Sequence, residues 1–463
     1  MTPWNAQEIQ SAINGQWINK PKSDSIAFEG VAIDSRSIQS NQIFFAFVGE
    51  QTDGHQYLLQ AQQTGASLCI VTHRDRVPHD IKIPVLLVDD ALEAMTNLAV
   101  IWRSKLNAIV IAITGSNGKT TTCRLMYSIC KQAGATYVSQ KSFNNALGVP
   151  ITILNTPIDA QYLVAELGTS SPGEIAQRAH LVQPDYAIIT SIGRAHLEEL
   201  IDIAGVAKEK GALVHALGSS GTAVIPSGIK ELDSALESVE QDCSIIRVNP
   251  KTSFAMIKTS GTMTEFSIED QRFQLNMLGE HNVSNATMAI ITAQAIGIDP
   301  QQIRDGIATV QPPSMRLERL EVPTRSSPIL IFNDAYNANP DSVRVALATF
   351  ESMDLPDGSL RVAILGSMLE LGSHTEQEHQ LLIDQLNNYA SIDRFILVGN
   401  EYSAEPHDPK ISRYSTNTEE TMIEIGNSIM PGSCILLKGS RSVALERIIP
   451  IIESNNQFIP SVS

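Results

Sequence analysis

The chain contains few cysteines, and their positions argue against two common uses of that residue. Five cysteines occur among 463 residues, and no two of them form a Cys-x-x-Cys pair. A disulfide framework needs paired cysteines in an exported protein, and a structural zinc site needs clustered ones. We therefore expect reduced, mostly buried thiols, with neither a disulfide scaffold nor a zinc site.

Positive charge and long apolar runs are also scarce. The 33 Lys and Arg residues face 50 Asp and Glu residues, which gives a formal net charge of −17. Such a balance disfavours nucleic acid or an anionic membrane as the main ligand. No window approaches the ~20 apolar residues of a membrane helix, and residues 1–8 lack the basic and apolar regions of an export signal. These features favour a cytoplasmic protein with no nucleic-acid partner and no membrane insertion.

The residues that are present predict an α/β protein of three domains. Short β-branched runs alternate with longer amphipathic stretches, which is typical of α/β folds. The length is about three times the ~150-residue domain used as a guide. We predict a smaller N-terminal α/β domain (residues 1–106), a central domain with a doubly wound, mainly parallel sheet (107–313) and a C-terminal Rossmann-like α/β domain (314–463).

Individual elements follow from the same pattern. We predict strands at residues 43–48, 68–71, 109–113, 162–165, 186–190, 329–332, 362–365, 395–398 and 435–437, and helices at 91–104 and 281–296. Between residues 221 and 277, short alternating strands indicate an antiparallel extension of the central domain. We predict that the third domain begins after Gln311-Pro312-Pro313. A residue before proline is biased away from helix, so these prolines mark a break between domains.

A glycine-rich turn follows the apolar strand at residues 109–113. The turn consists of Gly115, Ser116, Asn117, Gly118, Lys119, Thr120 and Thr121. Backbone amides of such a turn, together with a helix N-terminus, bind phosphate; the lysine contacts the β- and γ-phosphates and the next hydroxyl binds Mg²⁺. The general Walker A pattern would place its first glycine at Ile113, so this loop is shorter. An ordinary strand-to-helix turn is the alternative to binding ATP or GTP.

This loop and several later segments resemble the Mur ligases and folylpolyglutamate synthetases, which are three-domain, ATP-dependent enzymes that form amide bonds. The likeness covers nearly the whole chain. Its segments, in family order, are residues 115–121, 143–150, 166–168, 173–175, His196, 279–285 and Met315-Arg316. The family often has Asn-His at Ser170-Ser171, Asp at Ser367 and Gly at Met315, so these three places are departures.

Within the family, the likeness is greatest to the branch that acts on UDP-linked muramoyl peptides. The discriminating segments are residues 33–36, 44–50, 53–55, 334–342 and 366–372. The resemblance implies an ADP-forming ligase of peptidoglycan precursor synthesis, with ATP, UDP-N-acetylmuramoyl-tripeptide and D-alanyl-D-alanine as substrates and an acyl phosphate as intermediate. It also implies that the enzyme acts as a monomer.

The resemblance implies roles for residues near the phosphate loop. Lys119, His196 and Lys210 are the expected catalytic residues, and two Mg²⁺ ions are expected on Thr120, Glu166 and His196. A carboxylate at the end of a strand suits a hard cation, although Glu166 taken alone is more often a solvated residue or a helix cap. Lys208 and Lys210 are both candidates for carbamylation; the spacing from His196, by analogy with other family members, favours Lys210.

The remaining expected contacts belong to nucleotide and substrates. The residues expected at the nucleotide, besides the phosphate loop, are Asn282, Arg316, Asp334, Tyr336 and Asn337. Those expected at the substrates are Ser35 and Arg36 in a UDP-binding N-terminal domain, Asn144 and Asn145, and Lys438 and Ser440 near the amine donor, which the C-terminal domain is expected to bind as it closes over ATP.

Two other functions stay open at this point. The chemistry could serve another substrate, as in another Mur-type ligase or a folylpolyglutamate synthetase; the N-terminal domain and the segment Asp334-Ala335-Tyr336-Asn337-Ala338-Asn339-Pro340 argue against folate. A non-enzymatic nucleotide switch or scaffold would need the phosphate loop but not Glu166, His196 and the third-domain segments together.

Overall fold

The computed structural model describes residues 2–140, 143–237, 242–250, 252–260, 262–402 and 408–456. Three α/β units follow one another along the chain, each built on its own sheet. The predicted α/β class with three units is confirmed, and the boundaries at residues 106 and 313 stay a prediction. No helix in these ranges combines the length and the apolar character needed to cross a bilayer.

The first unit carries a five-stranded sheet in the order β2-β7-β6-β5-β4, beside an antiparallel pair of β1 and β3. Within the sheet, β2 is antiparallel to β7, and the other neighbours are parallel. Its elements are β1 (Thr2–Asn5), α1 (Ala6–Ala12), β2 (Gln16–Asn19), β3 (Ser25–Phe28), β4 (Val31–Ala32), β5 (Ile43–Phe45), α2 (Leu58–Thr64), β6 (Leu68–Val71), β7 (Val85–Leu87) and α3 (Ala91–Lys105).

The second unit has a six-stranded, all-parallel sheet in the order β13-β12-β11-β8-β10-β9. Because β8 lies between β10 and β11, the loops after these three strands meet at the carboxyl edge where the winding reverses, which is where open α/β sheets bind ligands. The elements of its sheet and helices are β8 (Ile109–Thr114), α4 (Lys119–Ala133), β9 (Thr136–Val138), α5 (Gly148–Leu154), β10 (Tyr162–Glu166), α6 (Glu174–Val182), β11 (Tyr186–Ile189), α7 (Leu197–Leu200), α8 (Ile203–His215), β12 (Thr222–Pro226), α9 (Lys230–Leu236) and β13 (Ser244–Val248).

The alternation of apolar residues in β8 accounts for helices on both faces of this sheet. Val110 and Ala112 pack into one hydrophobic cluster, and Ile111 and Ile113 pack into another on the opposite face. Successive side chains of a strand point to opposite faces, so a strand that is apolar throughout must be covered on both sides. The continuous apolar run therefore explains the buried, central position of β8.

The prediction for residues 221–277 was partly wrong. Its first two strands, β12 and β13, continue the parallel sheet. Only the later strands form an antiparallel sheet, in the order β14-β15-β16. The elements that complete this unit are β14 (Ala255–Ser260), β15 (Met263–Ile268), β16 (Gln271–Leu275), α10 (Glu280–Ile296) and α11 (Pro300–Thr309).

The third unit is a second, mostly parallel six-stranded sheet in the order β17-β18-β22-β19-β20-β21. Only the edge strand β17 is antiparallel to its neighbour. The elements are β17 (Glu318–Val322), β18 (Ile329–Asp334), α12 (Pro340–Ser352), β19 (Arg361–Gly366), α13 (Thr375–Gln385), β20 (Arg394–Val398), β21 (Ile411–Tyr414), α14 (Glu419–Asn427), β22 (Cys434–Lys438) and α15 (Ile448–Asn456). The predicted second doubly wound sheet is confirmed.

The first two units share one hydrophobic core. The cluster that covers one face of the central sheet also contains Trp4, Phe28 and Trp102 of the first unit. Asn155, at the end of α5, accepts a hydrogen bond from the Val31 amide (2.8 Å) and donates one to the Val31 carbonyl (3.1 Å). An apolar cluster of the third unit includes Leu197, Leu200 and Leu278 of the second unit. Polar side chains of these two units also meet in the cleft between them.

Candidate active site

The phosphate loop joins β8 to α4, and its two glycines adopt backbone conformations that other residues rarely reach. Gly115 has φ +151° and Gly118 has φ +83°. A Cβ on Gly115 would collide with the Thr190 hydroxyl, and one on Gly118 would collide with the Asn285 side chain. Both positions therefore need glycine for conformation and for space.

The first amides of this loop donate hydrogen bonds within the protein, whereas the later ones remain available on the side of the cleft. The Ser116 amide donates to the Ser191 carbonyl (2.9 Å), and the Asn117 amide donates to Ser191 Oγ (2.9 Å). Gly118 is the N-cap of α4 and supplies no side-chain cap, so the first-turn amides from Lys119 to Thr121 lack an intrahelical acceptor. The amides of this short loop that could bind an anion are therefore those of the helix N-terminus.

Lys119 folds back over the loop, where its ammonium donates to the Gly115 carbonyl at 2.7 Å. Burial lowers the pKa of Lys119 below its ordinary value, the Glu166 carboxylate opposes that shift, and the Arg316 cation adds to it. The two cations thus lie close enough to repel each other across the loop. An anion between them would relieve that repulsion.

Glu166 ends β10 beside the phosphate loop and is only 2% exposed. Its Oε1 accepts a hydrogen bond from the Asn144 side chain at 2.7 Å. Asn145 has a different position: it is exposed, and its side chain accepts from the Gly148 amide at the start of α5 (2.8 Å). Asn144 therefore contacts the site, whereas the Asn145 side chain bonds to the backbone at the start of α5.

Arg316 reaches the phosphate loop from the linker that precedes β17. Its guanidinium donates to Thr120 Oγ1 at 3.0 Å and lies over the Tyr336 ring at 4.4 Å. The residues on either side, Met315 and Leu317, have φ +57° and +52°. Met315 thus adopts a left-handed conformation that glycine favours, which accounts physically for the glycine that the family often has there.

His196 meets the third unit rather than Glu166. It has φ +56°, and its Nδ1 lies 2.7 Å from Oε2 of Glu370. The hydrogen bond from His196 holds the pKa of the Glu370 carboxyl below its usual range. Glu370 belongs to a segment whose likeness to the family was noticed in the sequence, but its place in the site depends on how two domains dock and was not predicted.

Lys210 and Lys208 point in different directions from α8. Lys210 is 1% exposed, and burial, reinforced by the Lys119 cation, drives its pKa well below the ordinary value. Lys208 is exposed and lines an outer groove of about 1040 Å³ between α6, α8 and α9. None of the other predicted site residues lines that groove, so the groove is separate from the candidate active site.

Glu209, between these lysines, anchors α8 to the loop after β10. Its buried carboxylate accepts from the Gly173 amide (2.6 Å), the Ile175 amide (2.7 Å) and the Thr169 hydroxyl (3.1 Å). A carboxylate at the N-terminus of α6 is stabilised by that helix dipole. Sequence reasoning missed Glu209, although a glutamate between two candidate lysines was a visible signal.

Asn282 lines a smaller cavity of about 250 Å³ together with Leu278, Pro312 and Arg316. Its side-chain amide donates to the Leu278 carbonyl at 2.8 Å. This cavity opens between the second and third units, next to the arginine that contacts the phosphate loop.

The buried Lys438 side chain lies against Asp334 and Asn337 at the carboxyl edge of the third sheet. Lys438 Nζ lies 2.8 Å from Asp334 Oδ2 and donates to the Asn337 carbonyl at 2.8 Å. Ser440, two residues on, accepts from the Leu369 amide at 3.0 Å. These predicted residues therefore lie together, on the same loop cluster as Glu370.

Ser35 and Arg36 lie in the N-terminal unit and make only local contacts. Ser35 is buried, and its hydroxyl donates to Gln60 at 2.9 Å. Arg36 is exposed and pairs with Asp34 through two hydrogen bonds of 2.9 and 2.8 Å. The structure does not gather these residues with the rest of the predicted site.

Within the described ranges, no three His, Cys, Asp or Glu side chains converge as a ready metal cage. Thr120 and Glu166 instead offer a hydroxyl and a carboxylate at the edge of the phosphate loop. Mg²⁺ in phosphate-binding sites is commonly held by one or two such oxygens together with the phosphates themselves. This donor set fits Mg²⁺ that arrives with a nucleotide.

Comparisons with known proteins agree with this geometry. The family models described as the catalytic domain of the Mur ligase family, the Mur ligase middle domain and the Mur ligase glutamate ligase domain match residues 27–101, 113–293 and 315–441. The UDP-N-acetylmuramoyl-tripeptide–D-alanyl-D-alanine ligase of Bacillus subtilis is 31% identical over 97% of this chain and 98% of its own length, and that of Escherichia coli is 29% identical over the same shares. A crystal structure of MurF from Acinetobacter baumannii matches with a TM-score of 0.80 and 28% identity, over 98% of this chain and 99% of that one.

Proposed function

Because the chain belongs to the Mur ligase family and is an ATP-dependent, ADP-forming peptide ligase of peptidoglycan precursor synthesis, we propose that the cleft between its second and third units carries out the ligation. The acceptor is UDP-N-acetylmuramoyl-tripeptide and the amine donor is D-alanyl-D-alanine, as the names of its relatives state for those proteins. The single observation that carries the proposal is that Arg316 and Glu370 of the third unit reach Thr120 and His196 beside the phosphate loop.

The chemistry proceeds in two balanced steps. A carboxylate oxygen of the acceptor peptide attacks the γ-phosphorus of ATP, the bond to the β-phosphate oxygen breaks, and ADP leaves. The donor amine then attacks the acyl carbon, the bond to the phosphate oxygen breaks, and inorganic phosphate and one proton are released. Phosphoryl transfer of this kind depends chiefly on positioning and on neutralising charge.

The chain supplies positive charge and hydrogen-bond donors around the phosphates of ATP. The first-turn amides of α4 bind phosphate oxygens, and Lys119 moves from the Gly115 carbonyl to the β- and γ-phosphates. Arg316, which now donates to Thr120, neutralises charge from the side of the third unit. Bound Mg²⁺ would add a Lewis acid at the γ-phosphate; Thr120 and Glu166 would hold one ion, and His196 would contribute to a second.

Lys210 is proposed to carry a carbamate. Its low pKa favours the neutral amine, which is the form that reacts with CO₂, and the product anion would lie near the Lys119 cation. Burial of a lone ammonium costs free energy unless it is paired. The neutral amine attacks the carbon of CO₂ and one proton is released, which leaves a carbamate anion that would help hold the second Mg²⁺.

The outer parts of the substrates are assigned to the residues around this centre. Asn282, Asp334, Tyr336 and Asn337 are proposed to contact adenine and ribose. Lys438 and Ser440 are proposed to bind the donor dipeptide, and Asn144 is proposed to contact the acceptor beside Glu166. Asn145 and the N-terminal pair Ser35 and Arg36 are proposed to bind other parts of the acceptor.

The acting unit is proposed to be one chain in the cytoplasm. ATP and a UDP-linked acceptor are metabolites of that compartment.

The test supplies ATP, Mg²⁺ and UDP-N-acetylmuramoyl-tripeptide and varies the amine donor among D-alanyl-D-alanine, D-alanine and glutamate. We expect equal amounts of ADP and amide product with D-alanyl-D-alanine, measured by chromatography and mass spectrometry. The Lys119→Ala variant should lose both products while keeping its fold by circular dichroism. Turnover that requires glutamate and a folate acceptor would contradict the proposal.

A further inference from the structure

We propose that Asp341 is a positioning residue that couples docking of the third unit to the phosphate loop, so that the acyl phosphate meets the donor amine rather than water. The inference rests on the acyl-phosphate chemistry proposed above. It concerns the segment of residues 191–196, which follows β11 and is called the shared loop here. One side of the shared loop contacts the phosphate loop, and the other side contacts the third unit.

The contacts on the phosphate-loop side are short and mutual. Ser116 Oγ donates to the Gly193 carbonyl at 3.0 Å, and the Gly193 amide donates back to Ser116 Oγ at 2.9 Å. Ser191 accepts from the amides of Ser116 and Asn117 through its carbonyl and its hydroxyl. Movement of the phosphate loop therefore displaces the shared loop.

On the other side, Asp341 binds the backbone of the same loop. Its Oδ2 accepts from the Arg194 amide at 2.7 Å. The approach is so close that a Cβ on Gly193 would lie 2.6 Å from that oxygen. A charged acceptor on a backbone amide is among the stronger hydrogen bonds in proteins, so this contact fixes the distance between the two units.

The position of Asp341 is itself rigid. It lies in the first turn of α12, where Asn339 and Ser342 form a capping box, and an anion is favoured at a helix N-terminus. Asn339 also donates to the side-chain carbonyl of Asn117 in the phosphate loop at 2.9 Å. The start of α12 thus contacts both the phosphate loop and the shared loop.

A buried carboxylate supports the same contact from behind. Glu378 of α13 pairs with Arg194 at 2.9 Å and with Arg344 at 3.4 Å, and Arg344 in turn pairs with Asp341 at 3.3 Å. Glu378 is 6% exposed, so its charge is satisfied mainly by these two arginines. The network orients Asp341 towards the shared loop and has no contact of its own with the phosphate-binding amides.

The consequence for the reaction concerns water. If the Asp341 contact is lost, Arg316 still reaches the phosphate loop and the acceptor can still be phosphorylated, but the third unit closes less tightly over the acyl phosphate. Water then attacks the acyl carbon, the bond to the phosphate oxygen breaks, and the acceptor carboxylate and phosphate are released without an amide. Exclusion of water by domain closure prevents that loss.

The experiment compares ADP with amide product in Asp341→Ala, Asp341→Asn and wild type, with D-alanyl-D-alanine present. We expect equal amounts in wild type and an ADP-to-amide ratio at least about threefold higher in Asp341→Ala, because hydrolysis competes with ligation. Asp341→Asn keeps an oxygen for the Arg194 amide, so its ratio should lie between the two. Affinity for ADP, measured by calorimetry without acceptor, should stay within about twofold of wild type, since none of the phosphate-binding amides changes.

The control is Asp354→Ala, which removes an exposed carboxylate of the same unit and should keep the ratio at one. Equal loss of ADP and amide in Asp341→Ala, with the ratio still at one, would overturn the inference. So would a normal rate with a normal ratio. Failure of wild type to form any amide would instead overturn the proposed function, so the two failures can be told apart.

Discussion

Lys208 and Lys210 lie two positions apart on α8, and that spacing separates their environments. Two residues of a helix differ by about 200° around its axis, so one lysine lines the outer groove while the other lies beside Lys119. The sequence left both as candidates for carbamylation. The burial of Lys210 and its lowered pKa make it the better nucleophile for CO₂ at neutral pH.

Replacing Lys210 by alanine is expected to lower ligase activity by roughly 100-fold, the order lost when a group that supports a metal site is removed. Acetate or another small carboxylic acid should restore part of that activity, because it can occupy the space of the missing carbamate. The measurement is the initial rate of amide formation with and without the acid. Lys208→Ala is the matched control and should behave as wild type; full activity of Lys210→Ala would remove the proposed role.

Residues in short, continuous motifs could be predicted at this scale, and residues whose place depends on docking could not. Gly115, Gly118 and Lys119 follow from a strand, a tight turn and a helix N-terminus, all within about ten positions. Glu370 and Asp341 reach the site only because two sheets meet, and no local pattern encodes that meeting. The motif of Ser35 and Arg36 was recognised, but their side chains make local contacts and lie apart from the rest of the site, so their role at the acceptor stays a prediction.

At the scale of single elements, the N-terminus of α4 is the part of the site that depends most on one residue. Gly118 ends the loop in a left-handed conformation and lies against Asn285 of α10. Gly228 has nearly the same φ, +78°, but a Cβ there would meet open space. The two glycines therefore separate the cost of the conformation from the cost of the contact.

Gly228→Ala should lower the free energy of unfolding by about 1–2 kcal/mol, the cost of a left-handed residue with a Cβ, and Gly118→Ala should lower it further because its Cβ also meets Asn285. Only Gly118→Ala should also weaken nucleotide binding, because its methyl group displaces Asn285 and shifts the first-turn amides. Urea unfolding and calorimetric titration with ADP measure the two effects. Equal ADP affinity in both variants would show that the helix N-terminus tolerates the added methyl group.

The elements themselves were largely readable because their apolar periods are distinct. The continuous run of β8 predicted a strand buried on both faces, and Glu280–Ile296 was predicted as a helix to within one residue. The prediction of antiparallel strands throughout residues 221–277 was partly wrong, because a strand in a parallel sheet and one in an antiparallel sheet can have the same short apolar run. Only the pairing of β12 with β11 distinguishes them, and pairing is a property of the whole sheet.

At the scale of the molecule, the domains inferred from the sequence are not equally independent. A boundary near residue 106 separates two sheets but cuts through a shared core, in which Trp102 packs against Trp4 and Phe28 with ring centroids 5.3 and 4.6 Å apart. The Trp102 indole also donates to the Thr156 carbonyl of the central unit at 2.9 Å. The third unit, by contrast, has one apolar cluster made entirely of its own residues. The first two units should therefore open together.

The shared core predicts which strands lose protection from amide exchange when Trp102 is replaced by a smaller residue. Trp102→Ala should lower stability by about 3–5 kcal/mol, as expected for a large buried aromatic residue, and should speed amide hydrogen exchange in β6 of the first unit and in β8 and β10 of the second. Strands β18, β19 and β22 of the third unit should keep their protection, because the apolar cluster around Trp102 contains no residue of the third unit. Phe350→Ala, which empties a fully buried site in α12, is the control and should show the reverse pattern. If faster exchange in Trp102→Ala stopped at α3 and spared β8, the first two units would be separate cooperative units despite their common core.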